Sequence, residues 1–169
     1  MTRSRAMWQS RTVLLLALIA AMLVWLLPAE SATAKPARPG RCVSLSATGS
    51  GQDLGEGRTA ATIFVSGRPV ADTTATFMIT GVVDGVATFT GPIVFTPRQL
   101  DGTLVAEVTG TLDLTSGAFT ATSTSVTGTG SLSGVTGSVR IKGVQDLTAG
   151  TFTETLRLRL CGPVGHLGM

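Results

Sequence analysis

The stretch DLTSGAFT, Asp113–Thr120, returns thirty-three residues later as DLTAGTFT, Asp146–Thr153, with two positions changed. A segment written twice in one chain is one supersecondary unit used twice, and that constrains the fold more than any other feature here. In VTGTLDLTSGAFTAT and IKGVQDLTAGTFTET the same offset brings Gly110 onto Gly143, Asp113 onto Asp146, Gly117 onto Gly150 and Phe119 onto Phe152. Alternating Thr and apolar residues flank a short D-L-T-x-G loop, where Asp can bond turn amides and Gly can take a positive φ, so each copy reads as a β-hairpin. A looser third copy, ITGVVDGVATFT over Ile79–Thr90, has the same Gly, Asp and Phe around a turn one residue shorter. Successive hairpins form a meander, and eight-stranded meanders commonly close.

The rest of the chain agrees. Helix signals are missing, and short alternating runs broken by Gly, Asp and Pro predict strands near 42–48, 59–66, 74–84, 86–96, 102–113, 118–127, 137–146 and 151–161. GSGQDLGEGR, Gly49–Arg58, reads as the one long glycine-rich loop. The expected fold is therefore all-β: an eight-stranded antiparallel meander closed into a β-barrel. Taking every second residue puts Leu104, Ala106, Val108, Gly110 and Leu112 inside, with Val105, Glu107, Thr109, Thr111 and Asp113 outside. The same count turns Val43, Leu45 and Ala47 of the first strand inward, and Phe152, Leu156, Leu158 and Leu160 of the last.

Ahead of the strands, MTRSRAMWQSR carries three arginines and no acid, the apolar run TVLLLALIAAMLVWLLP follows, and Ala32-Thr33-Ala34 offers an A-x-A cleavage site. That order defines a secretory signal peptide over 1–34, with an uncleaved anchor as the alternative because the run is near the lower limit for spanning a bilayer. The organisation that follows is a basic disordered leader over 35–41, the barrel domain over 42–161 and a C-terminal tail over 162–169. Signal cleavage would leave a secreted protein with no membrane segment. The net charge of +3 owes much to the signal, since three of the thirteen Lys and Arg but only one of the ten Asp and Glu fall within it. What remains is nearly neutral and has no Trp, Tyr or Asn, which removes the basis for a nucleic-acid role.

Cys42 and Cys161 are the only cysteines, and alternation puts both on outer faces of the first and last strands. Closure makes those strands neighbours, so the pair is expected to form a disulfide across the seam; two free thiols suit an oxidising compartment poorly. No metal site is expected, because His166 is the only histidine and lies in the tail. No cofactor motif, phosphate loop or nucleophile elbow occurs either. Asp53 and Glu56 could meet a calcium ion, yet two carboxylates without ligand spacing read as a solvated loop. Asp84, Asp113 and Asp146 all stand at hairpin turns and read as structural.

GTGSLSGVTGSVRIKG, Gly128–Gly143, resembles the GTG-x-hydrophobic-x-G-x-x-G segment of the allene oxide cyclase and dirigent-like barrels, and it stands before the seventh of eight strands as it does there. The resemblance covers about the last third of the chain. It implies an eight-stranded barrel with a lumen, trimeric in many plant members, and hence a homo-oligomer. The family's chemistry carries over less well. Plant cyclases place a carboxylate and an amide in the first strand and its following turn, whereas that strand here is CVSLSAT. The lumen Asp and Arg of dirigent proteins have no position-by-position counterpart.

Expected lumen-lining residues are Phe119, Ala121, Ser123, Ser125, Ile141, Gly143, Phe152 and Leu156. The small inner face of the sixth expected strand, Ala121 to Thr127, leaves room for a cavity. Alternation also turns Glu154 inward, and the repeat register sets Gln145 beside it, with Gly143 opposite Glu154 and leaving space for the carboxylate. These two are the weak catalytic candidates. A bulge near Gly143 or a one-residue slip would turn both to solvent, and that plainer outcome is the one the sequence favours. Three functions follow: a barrel binding a small apolar ligand in its lumen, or a partner on its surface; a cyclase-like or dirigent-like enzyme using Glu154 and Gln145 on an apolar substrate; and, more distantly, outward threonine rows meeting an ordered surface such as ice.

Overall fold

A computed structural model describes residues 41–162; the signal peptide, the leader up to residue 40 and the tail with His166 lie outside the described residues. Nine antiparallel strands make up most of that length: β1 (Arg41–Gly55), β2 (Arg58–Val65), β3 (Arg68–Thr76), β4 (Met78–Val83), β5 (Val86–Pro97), β6 (Leu104–Asp113), β7 (Ala118–Gly128), β8 (Thr136–Gln145) and β9 (Thr151–Gly162). The order β3-β2-β1-β9-β8-β7-β6-β5 closes on itself through a β3–β5 ladder, giving an eight-stranded barrel. The ninth strand, β4, pairs with the first half of β5 and extends that hairpin beyond the ring. Its Met78, Ile79, Val82 and Val83 are all exposed.

Two expectations about the first half of the chain are corrected. The strand expected over 74–84 is two strands interrupted at Phe77, and β3 starts well before it, at Arg68. The sequence RPVAD looks like a connection because of Pro69 and two charges. Pro69 pairs with Phe64 next to a β-bulge at which β3 carries the extra residue Val70, and bulges are among the places a sheet tolerates proline. Asp72 is on the wet face, paired through both oxygens with Arg98 (2.7 and 3.0 Å), which lowers the carboxyl's pKa. The expected Gly49–Arg58 loop is also strand: β1 pairs with β9 as far as Gln52 and with β2 as far as Gly55. Only Glu56 and Gly57 turn, both at positive φ.

The repeated hairpins form one end of the barrel. In each D-L-T-x-G loop the Asp carboxylate accepts two turn amides: Asp113 from Thr115 and Ser116 (2.8 and 2.9 Å), Asp146 from Thr148 and Ala149 (2.9 Å each). These bonds favour the ionised form, led by the Ser116 amide for Asp113 and the Ala149 amide for Asp146, and hold both carboxyls below their usual range. Each tip then ties to the next hairpin. The turn-glycine carbonyls of Gly85, Gly117 and Gly150 accept the amides of Leu114, Gln145 and Asp53 at 2.8, 2.9 and 2.7 Å. The repeat therefore builds a shape: a hydrogen-bonded rim of tight turns.

The opposite end is filled. Two longer connections fold there, residues 98–103 and 129–135, and they bond to each other through Thr129 N–H to Thr103 O (2.9 Å) and Ser131 N–H to Asp101 O (2.9 Å). A single 3₁₀ turn, Gly130–Leu132, sends Leu132 into the interior, and Val135 follows it. They pack with Leu104, Val126, Val139 and Leu158 into the core. On the wall at this end Cys42 and Cys161 are register partners joined by a disulfide, as expected from their strands.

Candidate functional site: a phenylalanine-lined lumen at the turn end

Alternation that fills the closed end leaves space at the turn end. A cavity of about 160 Å³ lies inside the barrel there, and Phe77, Phe89, Phe95, Phe119 and Phe152, five of the chain's six phenylalanines, line it. Ile93, Ala121, Ile141 and Leu156 add to the apolar wall, with Ala75, Ile79 and Leu112. The rings are held in pairs: Phe77 and Phe89 at 5.0 Å between centroids, and Phe119 edge-on to Phe152 at 6.0 Å.

Why the rings leave a cavity follows from what they stand on. Each repeat phenylalanine faces an inward glycine on the next strand: Phe89 opposite Gly110, Phe119 opposite Gly143, and Phe152 opposite Gly51. In all three pairs the ring occupies the space where a Cβ would go; at Gly51 that atom would be 2.6 Å from the Phe152 ring. The rings thus lie down against the wall instead of meeting at the axis, covering glycine backbone that would otherwise be bare. Gly and Phe recur together in the repeat because they are one packing unit.

Glu154 belongs to the same pattern. It lies between Gly143 of β8 and Gly49 of β1, and its side chain turns inward and is largely buried. No slip of β8 against β9 occurs, since the ladder runs unbroken from Thr136–Cys161 to Gln145–Phe152. The glycine that makes room is not the expected one. Gly143 is covered by the Phe119 ring, whereas a Cβ on Gly49 would come 2.6 Å from the Glu154 Oε1. The strand that was expected to end before Gly49 therefore shapes the acid's pocket. Burial alone pushes the Glu154 pKa up to about 7, with no hydrogen bond or neighbouring charge contributing. Around neutral pH this carboxyl can donate, accept or hold a proton toward the lumen.

Gln145 reaches the same region from β8. Its Nε2 donates to Asp53 Oδ2 at 3.2 Å, and Asp53 Oδ1 accepts the Gly55 amide at 2.8 Å. Asp53 is the lumen residue that sequence reasoning missed. The signal was present: the inward phase Val43, Leu45, Ala47 continues through Gly49 and Gly51 to Asp53, and was cut short by reading GSGQDLGEGR as a loop. Among the described residues no three His, Cys, Asp or Glu side chains gather as a metal site.

The remaining lining residues divide. Phe119, Ala121, Ile141, Phe152 and Leu156 border the cavity, and Gly143 lies in the wall beneath the Phe119 ring. Ser123 is inward and buried, below the cavity. Ser125 is corrected: it faces solvent, because β7 carries one extra residue between Ser123 and Val126 relative to both neighbours. Ser123 closes the bulge, its Oγ donating to the Ser125 carbonyl (2.8 Å) and accepting the Ser125 amide (3.1 Å). The phase change also sends Thr127 outward and brings Val126 in, so that a stretch expected to be small and open is apolar and filled.

No protein-family profile matches this chain, and no curated protein matches its sequence significantly. The barrel is the architecture that the resemblance to allene oxide cyclase and dirigent-like proteins implies; membership of that superfamily is not established by the fold.

Proposed function

We propose that the chain is a secreted barrel that holds a small apolar ligand in the turn-end lumen. The observation that carries this reading is the cavity of about 160 Å³, walled by five phenylalanines, in a barrel whose other end takes Leu132 and Val135 into its core. An apolar cavity of about 150 Å³ takes benzene or xenon, so ligands of one ring or a short branched chain fit. The Cys42–Cys161 disulfide supports export to an oxidising compartment, and N-terminal sequencing of protein from the culture medium should begin at Lys35. The lumen is tested by titrating toluene calorimetrically into the wild type and into Ala121→Phe, which fills the cavity from β7. Saturable heat in the wild type and none in a folded Ala121→Phe variant is the expected result. Equal binding by both would place the toluene elsewhere and end this reading.

One observation favours a second reading, catalysis on an apolar substrate in the manner of the suspected relatives. Glu154, at a pKa of about 7, combines the basicity and position of a general acid or base with a mostly apolar substrate volume. If the lumen is catalytic, Glu154→Gln removes turnover while toluene affinity stays; if it only binds, no turnover is there to lose.

A further inference from the structure

The lumen is mostly apolar, and its few polar groups are spread over β3, β2, β1, β9 and β8. Asp53 of β1, Gln145 of β8 and Glu154 of β9 come from three adjacent strands, and together with the hydroxyl-bearing Thr59 and Thr73 they make up its polar lining. Among the described residues Asp53 and Glu154 are the titratable side chains that line it, and no Lys, Arg or His of that set does. Gln145 gives one amide N–H to Asp53 at 3.2 Å, and its side-chain carbonyl oxygen is an acceptor with no hydrogen-bond partner within the described residues. The two titratable groups offered to a ligand are both carboxyls, with no cation among the described lining residues to pair with them.

We infer that the lumen selects small aryl or short-alkyl ligands bearing an ammonium group, the apolar part lying among the phenylalanines and the ammonium donating to Glu154 and the Gln145 carbonyl. This rests on the lumen-binding reading and names its ligand class. Three features of the wall agree. An ammonium has three donors and a positive charge, which matches a lining whose titratable groups are both carboxyls. Phenylalanine faces attract cations, most strongly where water is excluded. The volume of about 160 Å³ admits one ring with a one- or two-carbon arm. Ligands headed by a carboxylate are disfavoured on the same grounds, since they would meet Asp53 and Glu154 with no cation to pair.

Proton linkage follows. A cation beside Glu154 stabilises its ionised form, so binding an ammonium below about pH 7 expels a proton, and affinity rises as pH climbs through that value. Asp53 is the one other titratable group facing the cavity, and it stands at the rim where solvent reaches it.

The experiment compares three ligands of one shape, benzylamine, toluene and benzoate, titrated at pH 8 into the wild type and Glu154→Gln, with thermal melts confirming that both are folded. Benzylamine should bind at least tenfold more tightly than toluene, and benzoate should not bind. Glu154→Gln should cut benzylamine affinity about tenfold and leave toluene within twofold. Repeating the wild-type titration at pH 5.5 should weaken benzylamine and release a proton on binding. Toluene binding without a preference for benzylamine, or a preference that survives Glu154→Gln, overturns the ammonium assignment and leaves the lumen reading standing. Failure of all three ligands to bind overturns both.

Discussion

At the disulfide end of the barrel the interior is occupied by side chains that arrive from connections as well as strands: Leu132 and Val135 fold in from the segment between β7 and β8 and meet Val139 and Leu158 on the wall. At the turn end the strands have the same alternation, but the repeat loops are tight turns whose Asp carboxylates are spent on their own amides, and only Phe77, at the break between β3 and β4, reaches the lumen from a connection. The wall there is lined by rings lying on glycines, and a carboxylate takes a place that a leucine could fill. Strand patterning alone does not decide whether a small barrel is solid. Connection length does, together with glycines that let large side chains lie flat.

The largest expected effect belongs to the closed end. Closing a loop with a sequence separation of 119 residues contributes about 4 to 5 kcal/mol in the chain-entropy account. Reduction, or a Cys42→Ser, Cys161→Ser double variant, should lower denaturant stability by about that much. The lumen should keep its ligand affinity in conditions where the reduced protein remains folded, because the bridge lies at the other end. Loss of affinity in step with stability would mean that the ends are not separable.

Leu132→Ala comes next. It empties a closed core position and should cost roughly 3 kcal/mol, with added toluene restoring none of it beyond the rescue given to the wild type. A toluene-specific rescue of this variant would show that the plug and the lumen form one continuous space.

Glu154 provides the corresponding test at the turn end. Its folded pKa is about 7 against an ordinary 4.5, so the folded state binds the proton more tightly. Stability is therefore full below about pH 4.5 and declines as pH rises through the window up to about 7, costing roughly 3 kcal/mol above it. Glu154→Gln should be more stable than the wild type at pH 8, and the advantage should disappear near pH 4. Parallel pH profiles for the two proteins would mean that the carboxyl is solvated and the strand faces are misassigned.

The smallest effect is at the rim. Asp146→Ala removes two amide caps from one repeat and Asp113→Ala removes the same two from the other, each costing about 1 kcal/mol. Similar losses from both are expected of equivalent turns. A loss at Asp146 several times larger would show that its neighbour Gln145, and hence the mouth of the lumen, depends on that cap.

Much of this was legible in the residues. Period-two alternation in Leu104–Asp113 and Thr151–Cys161 gave the faces because the apolar residues there fall mainly on one side and Thr, Arg or Glu mainly on the other. The bulge or slip favoured near Gly143, which would have turned Glu154 to solvent, does not occur. The cysteine pairing followed from topology, since barrel closure leaves one partner strand for β1. Three features escaped. The β7 bulge is one inserted residue among serines and threonines, which fit either face, so nothing in TATSTSVTG marks where the phase changes. Gly49 and Gly51 looked like loop because glycine is a poor strand former, whereas here their missing side chains are what Glu154 and Phe152 require. The start of β3 was hidden because Pro69 and Asp72 are out of place in an isolated strand, and become acceptable only beside a bulge and Arg98. In each case the deciding partner lies on another strand.

The difference between the two ends can be tested most directly by a crystal structure determined under xenon pressure. Xenon enters dry apolar cavities of this size without needing a specific contact. We predict xenon density inside the turn-end lumen, bounded by Phe89, Phe119 and Leu156, and none around Leu132 and Val135. An empty or collapsed lumen, or xenon at the plugged end, would contradict the account.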